Sequence, residues 1–423
     1  MIEVHACRHV ARWLPCALAV VCVHVGGTLA VPPGGVAAPC GPATAYGAVG
    51  DGTTLNDGAL AAALAACSSS GGGGVALPMS ATGNSTYLFA APVRLVSRVT
   101  LVVDAGVTVT FTNFTADWPT KPGLPSYGAG VGYVPLVYGK GVADAGVAGG
   151  GTIDGRGQWW WAAKAPHGRP FLLACEGCER FTISAVTLTN SPSWTVHVWD
   201  SDDVLVDGLR VRNPTHGPNL DGVDIDSSRN VLMRHLDIVT SDDHVSIKSG
   251  ANAAGRTFNK PSVNVTIEDS KFGIGAGLAV GSEMSGGVYN VTARRLTFGP
   301  GAHSVVRIKS ARGRGGLMDN ITFEDVTAEG VDVPISVQMG YKPGPDPGNT
   351  TNGTDPGTPH LGRLTVRRLH AVSVFAGELL CLAESPCEGI VLENVTIVTL
   401  GMWKCKNAAP SATNTFPRPR CAK

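Results

Sequence analysis

The chain has 423 residues, 43% hydrophobic and only 16% charged, with Lys plus Arg equal to Asp plus Glu at 33 each. A net charge of zero argues against a nucleic-acid partner or a membrane surface, both of which select a basic excess. Length alone suggests two or three domains, but the repeats described below point to one long solenoid.

Residues 1–30 read as a secretory signal. Arg8 and Arg12 precede the apolar run from Leu14 to Val23, and small residues end it near Thr28-Leu29-Ala30, so cleavage is expected after Ala30. An uncleaved anchor is the alternative; the run is short for a membrane span and His24 interrupts it. Of 11 cysteines, Cys7, Cys16 and Cys22 would leave with the signal, so Cys40, Cys67, Cys175, Cys178, Cys381, Cys387, Cys405 and Cys421 remain. An even number in a secreted chain predicts disulfides of unspecified pairing. Cys175-Glu-Gly-Cys178 has a redox or zinc spacing, but no second such pair or paired histidine motif accompanies it, so a local structural role is expected. Asn-x-Ser/Thr triplets at Asn84, Asn113, Asn264, Asn290, Asn320, Asn349, Asn352 and Asn394 fit a secreted surface.

The mature chain, 31–423, is expected to be one domain. Tyr46 to Gly52 is a strand-to-turn start. Asp57 to Cys67 is rich in Ala and Leu and predicts a short helix capped by Asn56 or Asp57. Such a helix covers the open end of a solenoid. Gly71 to Gly74 ends it and is no phosphate loop, because no Gly-Lys-Ser/Thr follows. The tryptophans Trp159, Trp160 and Trp161 read as packing or a cleft wall.

Short β-branched runs then dominate: Val99–Val103, Val107–Phe111, Thr182–Leu188, Val204–Val211, Val231–Val239, Val263–Ile267, Val291–Phe298, Ile321–Val326, Leu364–Val372 and Ile390–Val398. Asn230, Asn264, Asn290 and Asn320 stand at the bends, where stacked amides form ladders. The insertion Pro343–Pro359 reads as an exposed loop, and the tail Lys406–Lys423 as irregular.

One stretch organises the rest. Asn219-Leu220-Asp221-Gly222-Val223-Asp224-Ile225-Asp226-Ser227 recurs 22 residues later around Asp243, Val245, Ile247 and Ser249. The same frame fits Leu278 and Val280, Val306 and Ile308, and Val196 and Val198. Apolar slots two apart share one face of a strand, so the fold expected is all-β, a single parallel β-helix. The outward columns then read His197, Asp224, Ser246, Ala279, Arg307 and Trp199, Asp226, Lys248, Gly281, Lys309. Such a face suits a charged polymer lying across the coils. The plain alternative is a solvated ladder in which Asp226 and Lys248 pair, worth little.

These residues resemble glycoside hydrolase family 28, the polygalacturonases and related pectin hydrolases. Tyr46-Gly-Ala-Val-Gly-Asp-Gly, Gly151-Thr-Ile-Asp-Gly-Arg-Gly and Leu188-Thr-Asn-Ser-Pro-Ser-Trp194 are similar to its early segments. Asn219-Leu-Asp221-Gly, Ser241-Asp242-Asp243 and Arg307-Ile308-Lys309 resemble its Asn-Thr-Asp-Gly, Gly-Asp-Asp and Arg-Ile-Lys motifs. The resemblance covers roughly Tyr46 to Cys421. It implies a right-handed β-helix, a secreted cell-wall location, a monomer, no metal or other cofactor, and pectic polysaccharide as partner. It assigns Asp242 as general acid and Asp221 with Asp243 as the pair activating water in an inverting hydrolysis of α-1,4-galacturonan. Inversion leaves about 6.5–9.5 Å between acid and base for that water. Three clustered carboxyls repel, so at least one keeps its proton.

Arg307 and Lys309 would bind the uronate carboxylate, and Asn219 belongs to the same substrate-binding set. His244 contacts substrate or fills the bend. Tyr341 is a sugar-stacking candidate or loop packing. The sequence departs from the family pattern at Leu220, Ser241 and Ala276. The last stands where many polygalacturonases carry the histidine of Gly-His-Gly, and Gly281-Ser282-Glu283-Met284-Ser285-Gly286-Gly287 resembles a plant-like and bacterial subgroup in which that histidine is often replaced. Glu283 either takes over part of that contact or is a surface carboxylate. Rhamnogalacturonan or xylogalacturonan hydrolysis, a Ca²⁺-dependent lyase and an inert pectin-binding β-helix remain alternatives.

Overall fold

The computed structural model describes residues 39–423 apart from 81, 82, 84, 114–116, 164 and 342–355. The predicted signal, Cys7, Cys16 and Cys22, the triplets at Asn84, Asn349 and Asn352, and most of the 343–359 insertion lie outside the described residues. The remainder is a parallel β-helix. A 21-stranded sheet and an 11-stranded sheet run the length of the coils. The smaller one carries the repeat. In order it contains Val93–Arg94, Val137–Lys140, Leu173–Glu176, Val196–Trp199, Val223–Asp226, Val245–Lys248, Leu278–Val280, Val306–Lys309, Ile335–Gln338, Gly377–Leu380 and Trp403–Lys406.

Register follows the sequence frame. Val223 and Ile225 pair with Val245 and Ile247, then Leu278 and Val280, Val306 and Ile308, and Ile335 and Val337. All ten are at most 2% exposed. Burying each such side chain contributes about 1.5–3 kcal/mol, and a one-residue slip would turn the whole column outward. Register is therefore strongly specified.

The bends use asparagine as expected. Asn230, Asn264, Asn290 and Asn320 have φ between 55° and 60°, a left-handed conformation that asparagine tolerates better than other side chains. Asn264 Nδ2 donates to Asn230 Oδ1 at 2.8 Å, and Asn320 Nδ2 to Asn290 Oδ1 at 2.6 Å. Asn230→Ala loses both its ladder bond and its backbone preference, while touching no glycosylation triplet. It is expected to lower stability by about 1–2 kcal/mol, read from the urea midpoint; an unchanged midpoint would make the ladder ornamental.

The capping helix spans Asp57–Ser69 and buries Leu60, Ala63, Leu64 and Cys67. Asn56 precedes it, but its amide does not cap it. Instead Oδ1 accepts from Val49 N at 2.7 Å, and Nδ2 donates to the Thr54 and Val49 carbonyls. Asp57 accepts from the Ala90 and Ala91 amides, tying the helix to the first coil.

The tail is not irregular. Ser411–Phe416 forms a strand parallel to Ile390–Val398, and Asn414 Nδ2 donates to Asn394 Oδ1 at 3.1 Å. Only Ala412 in that run is buried, so hydrophobic alternation gives no warning. The free edge of the preceding coil selects the strand. The eight cysteines pair as Cys40–Cys67, Cys175–Cys178, Cys381–Cys387 and Cys405–Cys421. Cys175 and Cys178 are 0% and 1% exposed, which removes them from redox exchange with solvent partners. No helix among the described residues is long and apolar enough to cross a membrane.

Candidate active site

Asp221 and Asp243 stand two residues before Val223 and Val245, at the bend entering adjacent strands. Gly222 N donates to the Asp243 carbonyl at 2.8 Å, which fixes the two on neighbouring rungs. Asp242 turns outward one residue earlier and is half-buried, whereas Asp221 and Asp243 are 3% and 0% exposed. Asn219, at φ 51°, sends its Nδ2 to Asp242 Oδ2 at 3.3 Å. One oxygen from each aspartate lies within 4.8 Å of the other two.

The surrounding charges distinguish the three. Lys309 Nζ lies 2.6 Å from Asp243 Oδ2 and Arg307 Nε 3.5 Å from Oδ1, so Asp243 is anchored as an ion pair. Burial, opposed by Lys248 and reinforced by the charges of Asp242 and Asp243, pushes Asp221 up to about 8. Burial and the neighbouring Asp243 also raise Asp242. Like charges so close cannot all ionise, and the cluster titrates as a unit. A trio with one ion-paired carboxylate and two carboxyls of raised proton affinity can donate a proton and accept one in the same turnover.

A second layer lies beneath. Lys248, 3% exposed, directs Nζ to Glu283 at 3.1 Å, Asp224 at 3.3 Å and Asp221 at 3.8 Å. It also sits 4.3 Å from the Trp194 ring centre, and Trp194 stacks on Phe171 at 5.2 Å. Burial would lower Lys248, but Glu283, Asp224 and Asp221 together hold it well above its usual value. The pair Asp226–Lys248 weighed from the sequence is not formed. Asp226 instead accepts from Tyr127 Oη at 2.5 Å and from Gly250 N at 3.1 Å.

Glu283 is not a surface carboxylate. It accepts from Lys248, from Arg314 at 3.3 Å and from the Ser282 hydroxyl at 3.1 Å. Burial alone would raise it, yet Lys248, Arg314 and Lys309 hold it at about 2. It is a half-buried ion-pair partner of Lys248 and Arg314. Ala276 stands next to Asp242 through its backbone, its N donating to the Asp242 carbonyl at 2.8 Å.

His244 does not face substrate. It is 0% exposed, packed against Phe272 and Phe298 at 5.2 and 6.0 Å. Its Nε2 lies 3.0 Å from the Gly273 carbonyl, which requires the proton there. Burial lowers it to about 4. This contribution to stability is full above the free-histidine value near 6.5 and is lost as the pH falls towards 4, about 3 kcal/mol in all. His244→Leu should flatten that acid-side slope in urea titrations between pH 4 and 6.5; an unchanged slope would assign it to other groups.

Arg307 and Tyr341 are half-buried, and Tyr341 lies 5.4 Å from Lys309 Nζ. Lys309 is 7% exposed and committed to Asp243. Of the two cations expected to take a uronate, Arg307 retains the more accessible side chain. Trp160 packs on Trp118 and Tyr133, as a packing role requires. Sequence reasoning missed Lys248 as a neighbour of Asp221, and Arg314 and Trp194 as partners in the layer around Lys248. The column frame had put Lys248 on the same sheet face, but long side chains choose partners across rungs.

The family model for glycosyl hydrolases family 28 matches residues 88–415. A probable polygalacturonase of Vitis vinifera is 31% identical over 395 residues, covering 88% of this chain and 78% of that protein. An endo-polygalacturonase of Pectobacterium carotovorum subsp. carotovorum is 29% identical over 357 residues, covering 79% of this chain and 83% of that one. The solved structure of the polygalacturonase from Erwinia carotovora ssp. carotovora is similar with a TM-score of 0.75 at 25% identity, over 91% of this chain and 100% of that one.

Proposed function

The chain belongs to glycosyl hydrolases family 28, and from that premise we propose that it is a secreted pectin hydrolase cleaving α-1,4-galacturonosidic bonds. The observation that carries the reading is the convergence of Asp221, Asp242 and Asp243 within 4.8 Å beside Arg307 and Lys309. Asp242 is the outermost of the three and its carboxyl is raised, as a general acid for the leaving oxygen requires. Asp243, held by Lys309, takes the proton of the attacking water with Asp221 beside it. Arg307 meets the uronate carboxylate and Tyr341 the sugar face. Secretion agrees with four disulfides, which an oxidising compartment preserves.

Wild type incubated with polygalacturonate in EDTA should release reducing ends without product absorbing near ~235 nm. Unsaturated product would indicate elimination instead, and bound polymer without release an inert binder. Silence on this polymer with turnover of rhamnogalacturonan or xylogalacturonan would move the substrate within the pectic class. The inverting outcome follows the family resemblance. Proton NMR of the first-formed anomer decides it: the β-anomer for inversion, the α-anomer for retention.

A further inference from the structure

The outward face of the 11-stranded sheet differs on the two sides of the catalytic trio. On the N-terminal side part of it is covered, although Arg94 and Lys140 on the first rungs are exposed and Trp194 and Trp199 half-buried. Tyr138, Glu176, His197, Asp224 and Asp226 all point away from the coil interior, yet none is more than 5% exposed. The segment from Trp118 to Val134 covers Glu176 and Asp226, while His197 lies under Phe171 and Trp194 and Asp224 faces Lys248. That segment folds as the antiparallel pair Thr120–Pro122 and Val131–Tyr133 around a turn at Pro125–Tyr127, and Trp118 Nε1 closes its base on the Val134 carbonyl at 2.8 Å.

The covering segment is pinned from several directions. Lys121 Nζ lies 2.7 Å from Glu176 Oε1. Ser126 Oγ accepts from Trp199 Nε1 at 2.9 Å, and the Ser126 carbonyl accepts from Ala251 N at 2.9 Å. Tyr127 donates to Asp226 at 2.5 Å. The helix Asn252–Phe258 buttresses it: Gly250, at φ 71°, comes so close to Ser126 that an added Cβ would lie 2.7 Å from the Ser126 Cβ. Two of these contacts are charge-assisted bonds to buried carboxylates, the stronger class, so the cover is a fixed part of the fold.

On the C-terminal side Ala279, Lys309 and Ser336 are buried, but the following outward positions become accessible among the described residues. Arg307, Gln338 and Glu378 are half-buried, and Lys404 and Lys406 are exposed. Arg307, Ser336, Glu378 and Lys404 follow one another in register on successive rungs about 4.8 Å apart, with Ser336 buried beneath Glu378, to which its hydroxyl donates, so a polar row leads away from the trio.

We propose that this wall makes the enzyme chain-end-acting: the polymer extends from the catalytic aspartates only towards the C-terminal coils, and a short product of fixed length occupies the closed side. The inference rests on the pectin-hydrolase reading above. The Pectobacterium relative carries the name of an endo-acting enzyme. Mode of attack is set by covering segments, and these vary most readily between relatives that share a scaffold.

The experiment follows wild-type digestion of polygalacturonate by product sizing and viscometry together. One short product should dominate from the earliest time points while viscosity persists. A ladder of lengths with early loss of viscosity would overturn the proposal while leaving the hydrolase reading intact. Absence of hydrolysis on every pectic polymer would remove that reading and this one with it. A Ser126→Gly, Tyr127→Ala double variant, checked for an unchanged thermal midpoint, should convert the single product into mixed lengths and speed the viscosity loss at equal reducing-end release. An unchanged single product from that folded variant would show that the wall does not set the mode of attack.

Discussion

Asp242→Asn is expected to lower kcat on polygalacturonate by about 10²–10⁴-fold, the range for losing a positioned general acid, with KM nearly unchanged. An amide keeps the shape and still accepts from Asn219, which lies 3.3 Å from the carboxyl, but it has no proton to give to the leaving oxygen. Asp243→Asn should be comparably damaging for a different reason. It removes the anion that Lys309 pairs with at 2.6 Å, leaving a buried cation uncompensated, so the variant should also lose stability. The two are separated by unfolding: Asp242→Asn should melt near wild type, and Asp243→Asn several degrees lower. A well-folded Asp242→Asn retaining more than a tenth of wild-type kcat would remove this residue from the acid role.

Lys248→Met should act on the pH profile rather than on substrate capture. Lys248 touches no open surface, yet it contacts Asp221, Asp224 and Glu283 and covers the Trp194 ring. Its charge opposes the upward push of burial on Asp221. Removing that charge drives the trio further towards its protonated form, so the acid limb of kcat/KM should move to higher pH by about one unit, with kcat down about 10–100-fold. Asp242 and Asp243 face the same cluster, and Lys309 and Arg314 supply its other cations. Lys248→Arg should recover most of the profile, because it restores charge though not shape. A methionine variant with lower kcat but an unmoved acid limb would make Lys248 a packing residue only.

Much of this molecule was readable from spacing. The 22-residue repeat places Val223 over Val245 and Ile225 over Ile247, and the pairing follows, because a two-residue period leaves a coil one way to bury its apolar slots. The same frame put Asp221 beside Asp243. Asparagine at the bends was legible because few other residues accept a left-handed backbone there. What sequence could not settle were the partners of long or buried side chains. The Asp226–Lys248 pair was reasonable from column order, but Lys248 reaches across rungs to Glu283, 35 residues away, while Tyr127 reaches Asp226 from 99 residues away. His244 follows the acid pair directly and still turns inward between two phenylalanines.

The sequence by itself therefore determined the scaffold and the stacking of Asp221 on Asp243, since both depend on local periodicity repeated from coil to coil; Asp242 joined them only through the family motif. Only the tertiary structure decided which carboxyl is anchored by a cation, which are pushed upward by burial, and which part of the sheet is walled off. Those depend on desolvation and on contacts between residues tens of positions apart, and neither quantity has a period that a sequence can display.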